Sequence, residues 1–434
     1  MPSGLSIRRS VLLILTASLS CVCGSSAPAQ SGQPQTLALA GEEGTGSARL
    51  PTAALLNEAD TAAKERDFAR ADGLYRRAWK DAAQKHRAAA SLTALHKTPG
   101  FKLAPDDAAI KTALAQLGPG FTRHETSHFV ILSNCDLRWT QARGELLERT
   151  RSQFIRVADR LSLDEYPPRT KLLCILINSR DAYLSFAGTH DKLKATWVAG
   201  YYSTRSNRIV FYNDTTAPEY VAARQSLDQA RGQVKDARNR ASKAERDGNP
   251  GLAQRLNAAA DDLEGRIRTE DSRLSDLATD TSTAKTIHEA IHLLAFNMGV
   301  QFGERDYPFW VSEGLAIAFE TEDPRSAFGP DRAASHSRLD RFKQLYAEGK
   351  IKPLSELITL TDASGCDSAA AESLYCQSNA LFSYLYGKNA QAIGRYLRAI
   401  NDSSSGRLSE SQQLSLFVSC FGDPGAIDPR LGVR

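Results

Sequence analysis

The sequence predicts an α+β fold. A small mixed sheet is followed by a mostly helical C-terminal half, with a helical region in front and an antiparallel coiled-coil hairpin inserted between. Three observations carry this expectation. The run Lys171-Leu172-Leu173-Cys174-Ile175-Leu176-Ile177 is short and continuously apolar, as a strand covered on both faces is. A 3-4 apolar period runs through Leu227, Ala230, Val234, Ala237, Ala241 and Ala244, breaks at Asp247-Gly248-Asn249-Pro250-Gly251, and resumes at Leu256, Ala260, Leu263, Ile267, Leu274 and Leu277. That is the pattern of two helices folded back on one another. Beyond Ser337, helical patterns dominate, over about 338–348, 373–386, 390–400 and 409–420.

In chain order, residues 1–29 read as a secretory signal peptide. Arg8 and Arg9 form the basic start, 11–19 is an apolar core, and Ala27-Pro28-Ala29 offers a cleavage site. Cys21 and Cys23 leave lipid anchoring as the alternative. The mature chain is therefore expected outside the cytoplasm, periplasmic or extracellular. No later stretch approaches the roughly 18 apolar residues of a membrane-spanning helix. Residues 30–50 are rich in Ser, Gly, Gln, Ala and Thr without apolar period, a disordered linker. Residues 51–100 form a helical region. The stripe Phe68, Ala71, Tyr75, Ala78 and its surroundings resemble the centre of a tetratricopeptide repeat. Only one copy is evident where a stack needs about three, so a plain helical hairpin packed on the next domain is the other reading.

The remaining domain spans 101–434, with the helical hairpin inserted at 216–280. Strands are expected at 128–133 and 171–177 and in a hairpin pairing 195–202 with 208–212; helices at 141–161 and 182–187. Composition is that of a globular chain, 42% hydrophobic and 24% charged. A formal charge of +4 gives no nucleic-acid footprint. After the signal, Cys135, Cys174, Cys366, Cys376 and Cys420 form an odd set without a C-x-x-C pair, which points away from a thiolate zinc site. Cys366 and Cys376 are close enough in sequence for a loop disulfide.

The chemistry gathers at His288-Glu289-Ala290-Ile291-His292, on a helix expected over about 284–298 and closed by Gly299. Positions i and i+4 share a helix face, so the two imidazoles can meet one metal ion, with Glu289 beside the first as general base. Glu313 lies 21 positions past His292 in Trp310-Val311-Ser312-Glu313-Gly314-Leu315-Ala316 and is the third candidate ligand. Two histidines and a carboxylate are a hydrolytic zinc set, leaving one position open. Glu320 stands either behind a ligand histidine, orienting it, or in solvent.

These residues resemble the membrane alanyl-aminopeptidase family of gluzincins, in which a W-x-x-E-G-x-A run carries the third zinc ligand. The stretch from Tyr375 to Leu385 is similar to that family's Y-x-x-G-x-x-L, with Ser378 at the Gly position. The resemblance implies a zincin-like metallopeptidase fold, one Zn2+, and Tyr375 as stabiliser of the oxyanion. It also implies a substrate-binding edge strand, for which the hairpin at 200–212 is the candidate. The Gly-x-Met-Glu-Asn run that anchors a free amine is missing, so aminopeptidase action is not implied. The whole layout looks more like the peptidase-MA-like domains of exported bacterial proteins. The expectation is a zinc metallopeptidase, acting as an endopeptidase, with a peptide or protein as substrate. The alternatives are a catalytically silent scaffold of the same fold, or a hydrolase of a non-peptide amide or ester. The helical N-terminal region and the coiled hairpin are the candidate surfaces for protein contacts.

Overall fold

The computed structural model describes residues 52–431, apart from 82, 165, 194–197, 333–335, 364 and 365. The expected signal at 1–29 and linker at 30–50 lie outside the described residues. The chain is mixed α+β, mostly helical, with a five-stranded mixed sheet. Among the described residues no helix is long and apolar enough to cross a membrane.

The N-terminal region is three helices, α1 (Thr52–Lys64), α2 (Phe68–Trp79) and α3 (Lys85–His96). Leu56, Ala71, Tyr75, Ala78 and Leu92 fill their shared core. The α2 stripe is the expected one, extended by Leu74, with Asp67 capping the helix through the Arg70 amide. The unit is docked on the domain that follows. The Arg76 guanidinium donates to the carbonyls of Pro167 (3.0 Å) and Pro168 (3.2 Å), and the Trp79 ring lies on Tyr166 with centroids 4.4 Å apart.

Then come α4 (Asp107–Leu117), β1 (Thr122–Glu125), β2 (Phe129–Ser133), α5 (Leu137–Arg160), β3 (Leu172–Ile177), α6 (Arg180–His190), β4 (Gly200–Ser203) and β5 (Arg208–Tyr212). The sheet order is β1-β2-β3-β5-β4. The central β2, β3 and β5 are parallel, and β1 and β4 run antiparallel at the edges. Every residue of β2, β3 and β5 is buried, because both faces are covered. On one face Ile131, Cys174, Leu176, Ile209 and Phe211 pack with residues of α5 and the long helix described next. On the other, Val130, Ile175 and Val210 meet Ile110 of α4 and Tyr183 and Phe186 of α6. The predicted hairpin forms, but its first strand begins at Gly200; residues 194–197 lie outside the described set. Gly200 sits where the helix crosses closely, since a Cβ there would stand 3.1 Å from Lys285 Cγ.

The coiled hairpin is α7 (Pro218–Arg246) and α8 (Pro250–Asn297). Ala223, Leu227 and Ala230 pack on Leu263, Ile267 and Leu274. The separate motif helix expected over 284–298 does not exist: α8 is one helix of 48 residues that runs from the hairpin into the motif. Nothing between Leu277 and Ala284 can stop it. That stretch is Thr, Ser, Asp and Ala without Gly or Pro, and Thr279 and Thr286 return their hydroxyls to the carbonyls of Ser275 and Ser282. Gly299, at φ +80°, follows the end of the helix as expected.

The C-terminal half contains α9 (Phe309–Ile317), α10 (His336–Ala347), α11 (Leu354–Thr359), α12 (Ser368–Asn401), α13 (Glu410–Phe421) and α14 (Pro424–Leu431). The two helices expected at 373–386 and 390–400 are the halves of α12, which bends at Asn389 (φ −161°, ψ 88°). Trp310 anchors α9 among Tyr396, Phe417 and Phe421. All five cysteines of the described residues are free, so Cys366 and Cys376 are not joined. Cys376 is held on a buried face of α12.

Candidate metal centre

Near the motif, α8 is buried almost all round rather than along one stripe. Ile287, Ala290, Ile291 and Leu294 join the main core, while His288, Glu289 and His292 are buried as well. Burying three ionisable groups on one helix is costly unless they have partners. The partner comes from α9. Its residues Phe309, Trp310, Val311, Leu315, Ala316 and Ile317 are apolar and buried, and Glu313 is the one acid it carries. Gly314 lets this helix approach α12, because a Cβ there would lie 2.6 Å from Phe382 Cβ and 2.8 Å from the Ser378 carbonyl oxygen. The Glu-Gly pair thus sets a ligand candidate beside the position that allows close packing.

His288, His292 and Glu313 converge as a group that could hold a metal ion. The His288 and His292 Nε2 atoms are 3.2 Å apart. Glu313 Oε2 is 3.2 Å from His288 Nε2 and 3.4 Å from His292 Nε2. Electrostatics binds the three together. Burial alone would lower the His288 pKa, but the Glu313 and Glu320 carboxylates outweigh it and raise it to about 10. Burial would raise that of Glu313, but the two imidazoles hold it down at about 2. The arrangement favours a positive charge at its centre, from a proton on imidazole or a cation between the ligand atoms.

Glu320 is not on α9 but in the turn after it, where its amide donates to the Ile317 carbonyl (2.9 Å). It is buried, and its Oε1 is 3.0 Å from His288 Nδ1. Sequence reasoning missed the group behind it. Arg338 of α10 donates through Nε to Glu320 Oε2 (2.7 Å) and through Nη2 to Oε1 (3.0 Å). Burial would raise the Glu320 pKa, but Arg338 and His288 keep it below the ordinary glutamate value. The chain Arg338–Glu320–His288 fixes which His288 nitrogen faces the triad.

Tyr375 is wholly buried on α12, the helix that packs on α9, and its ring lies 5.1 Å from that of Phe309. A second feature missed from sequence is an ion pair one helical turn before Glu289. Lys285 Nζ is 2.8 Å from both carboxylate oxygens of Asp214 and 2.9 Å from the Tyr212 carbonyl, fully buried at the end of β5. Asp214 lies 71 residues away, with no local pattern linking it to Lys285.

No curated protein and no solved structure matches the chain. Residues 282–405 match the family described as a protein of unknown function (DUF1570), a stretch that holds His288, Glu289, His292, Glu313, Glu320, Arg338 and Tyr375.

Proposed function

We propose that this chain is an exported zinc-dependent metallopeptidase with a zincin-like catalytic domain, cleaving peptide bonds within its substrates. The observation that carries the reading is the triangle of ligand atoms. A tetrahedral zinc with bonds of about 2.0–2.1 Å has ligand atoms about 3.3–3.4 Å apart along each edge. The separations of 3.2, 3.2 and 3.4 Å among His288, His292 and Glu313 match that edge. Two imidazoles and one carboxylate suit zinc and leave its charge partly uncompensated, as a Lewis acid requires.

Zinc bound there supplies Lewis acidity towards water and the scissile carbonyl. Glu289 takes the proton of the attacking water on its carboxylate and returns it to the leaving amine, which lets a peptide bond break without expelling an amide anion. Glu320, held by Arg338, keeps His288 in one tautomer. Tyr375 is given the stabilisation of the developing oxyanion. The test is zinc content of the purified chain together with digestion of a peptide library by wild type and Glu289→Gln. Stoichiometric zinc in both, with cleavage by the wild type alone, is the expected result. Equal cleavage by both proteins, or none by either, would favour a silent scaffold.

A further inference from the structure

A buried arginine packs on the face of α8 that also carries Glu289, and the acid whose charge reaches it is already paired with a lysine. Arg143 of α5 is only 7% exposed. Its Nη1 donates to Ser282 Oγ at 3.1 Å and faces Thr286 Oγ1 at 3.5 Å, and the Trp139 ring lies 5.5 Å from its Cζ. Its Nε is buried without a hydrogen-bond partner, and among the described residues no ion pair joins the guanidinium to a carboxylate, although the charge of Asp214 reaches it. Two hydroxyls and an aromatic face do not neutralise a charge taken out of water. The neighbouring Asp214 is engaged by Lys285. Burial outweighs the charge of Asp214 and holds the Arg143 pKa below the ordinary arginine value, so the guanidinium has donor capacity and charge to spare.

Its place along α8 follows from helix geometry. Ser282, Thr286 and Glu289 follow i, i+4, i+7 spacing and share one face of α8. Thr286 is three residues before Glu289, about 4.5 Å along the helix axis. A group held by Arg143 would thus lie on the α8 face that carries Glu289, about one helical turn towards the start of the helix.

We propose that Arg143 binds a carboxylate of the substrate, making the enzyme selective for peptides with an acid close to the cleaved bond. The inference rests on the metallopeptidase reading. The fork of the guanidinium suits a carboxylate in a way that an ammonium would not. The same chemistry comes from two sources, a chain-terminal carboxylate or an Asp or Glu side chain, and the test separates them.

The experiment uses the full-length, zinc-loaded Glu289→Gln chain, which binds without turnover. Calorimetry compares N-acetyl-trialanine as free acid, the same peptide as C-terminal amide, and the amide carrying Glu at the third position. A charge-assisted bidentate pair predicts roughly ten- to a hundredfold tighter binding of an acidic probe over the neutral amide. Preference for the free acid identifies the chain terminus as the source; preference for the Glu amide identifies the side chain. Arg143→Met added to Glu289→Gln should abolish the preference, and Arg143→Lys should keep part of it. No preference at all, or one that survives Arg143→Met because the metal alone holds the carboxylate, overturns the proposal. If Arg143→Met fails to fold, Arg143→Lys decides: unchanged preference with a shortened, unforked donor overturns it. An acid preference that depends on Arg143 in a chain whose wild type cleaves nothing would leave the site standing and sink only the peptidase reading.

Discussion

Replacing Glu320 by Gln tests whether the residues behind the ligands tune the metal centre. The substitution keeps the shape of the side chain and an acceptor oxygen for His288 Nδ1, now 3.0 Å away, but removes the negative charge. A hydrogen bond to a charged group contributes about 1.5–3 kcal/mol against about 0.5–1.5 kcal/mol for a neutral one. The difference of about 1–2 kcal/mol predicts a zinc affinity roughly five- to thirtyfold weaker, within the range usual for groups that orient a ligand histidine. A second effect is separate. Arg338 loses the carboxylate that it grips at 2.7 and 3.0 Å, and both side chains are nearly buried, at 11% and 6% exposure. Breaking such a pair from one side costs about 3 kcal/mol of stability or more. Competition with a chromophoric chelator well below the unfolding temperature reads the first effect, and thermal unfolding of the same samples reads the second. Zinc affinity unchanged within twofold, alongside a clear loss of stability, would show that Glu320 serves the fold alone and refute the reasoning.

The other expectations concern packing, acid and the oxyanion. Gly314→Ala would drive a methyl against the Ser378 carbonyl at 2.8 Å and Phe382 Cβ at 2.6 Å. It should cost about 1–3 kcal/mol in denaturant unfolding and displace Glu313, weakening zinc; an unchanged midpoint would show that α9 and α12 can separate freely. Packing of α3 on α2 within the N-terminal unit should weaken in acid. Burial lowers the His96 pKa, and Asp72, which burial alone would raise, is held low by His96 and Arg76. Both native values lie below the unfolded ones, so the folded unit binds fewer protons. Its stability is present above the ordinary imidazole value of about 6.5 and is lost as pH falls. Denaturant midpoints of wild type and His96→Gln across pH 7 to 4.5 should converge towards the acid end; parallel curves would discount the pair. Tyr375→Phe should leave zinc content intact and lower kcat by at least about tenfold if the hydroxyl meets the oxyanion, whereas equal kcat would make it a core residue only.

The parts of this molecule that were legible from sequence are those whose cause is local. The β3 run from Leu172 to Ile177 is apolar at every position because both faces of the strand are covered, and that is visible without a partner. The pairing of His288 with His292 follows from helix periodicity alone, and the 21 positions from His292 to Glu313 suit a second helix folding back, whereas the close approach at Gly314 shows only in the fold. The β1 strand was not foreseen. Thr122-Arg123-His124-Glu125 is polar and mostly exposed, and only pairing with β2 makes it a strand. Likewise α4, α11 and α14 are short helices without a strong period. The buried polar partners were the least accessible. Arg143 meets Ser282 across 139 residues, and Lys285 on its own reads as one more charge on a helix. What selects such groups is the low dielectric around them, which does not exist until the fold has formed.

The unbroken course of α8 constrains how this chain can vary. From Pro250 to His288 the helix rises about 57 Å without a joint, so the distant turn of the hairpin and the candidate metal ligands share one rotational phase. Removing a single residue from that span would swing the hairpin by about 100° around the axis relative to the ligands. Removing seven, matched by seven from α7, would shorten it by about 10.5 Å and turn it by only about 20°. Length variants of the hairpin that keep its aim should therefore come in whole heptads, one from each arm. The hairpin behaves as a splined shaft: it can be cut shorter in fixed steps, but not by an arbitrary amount.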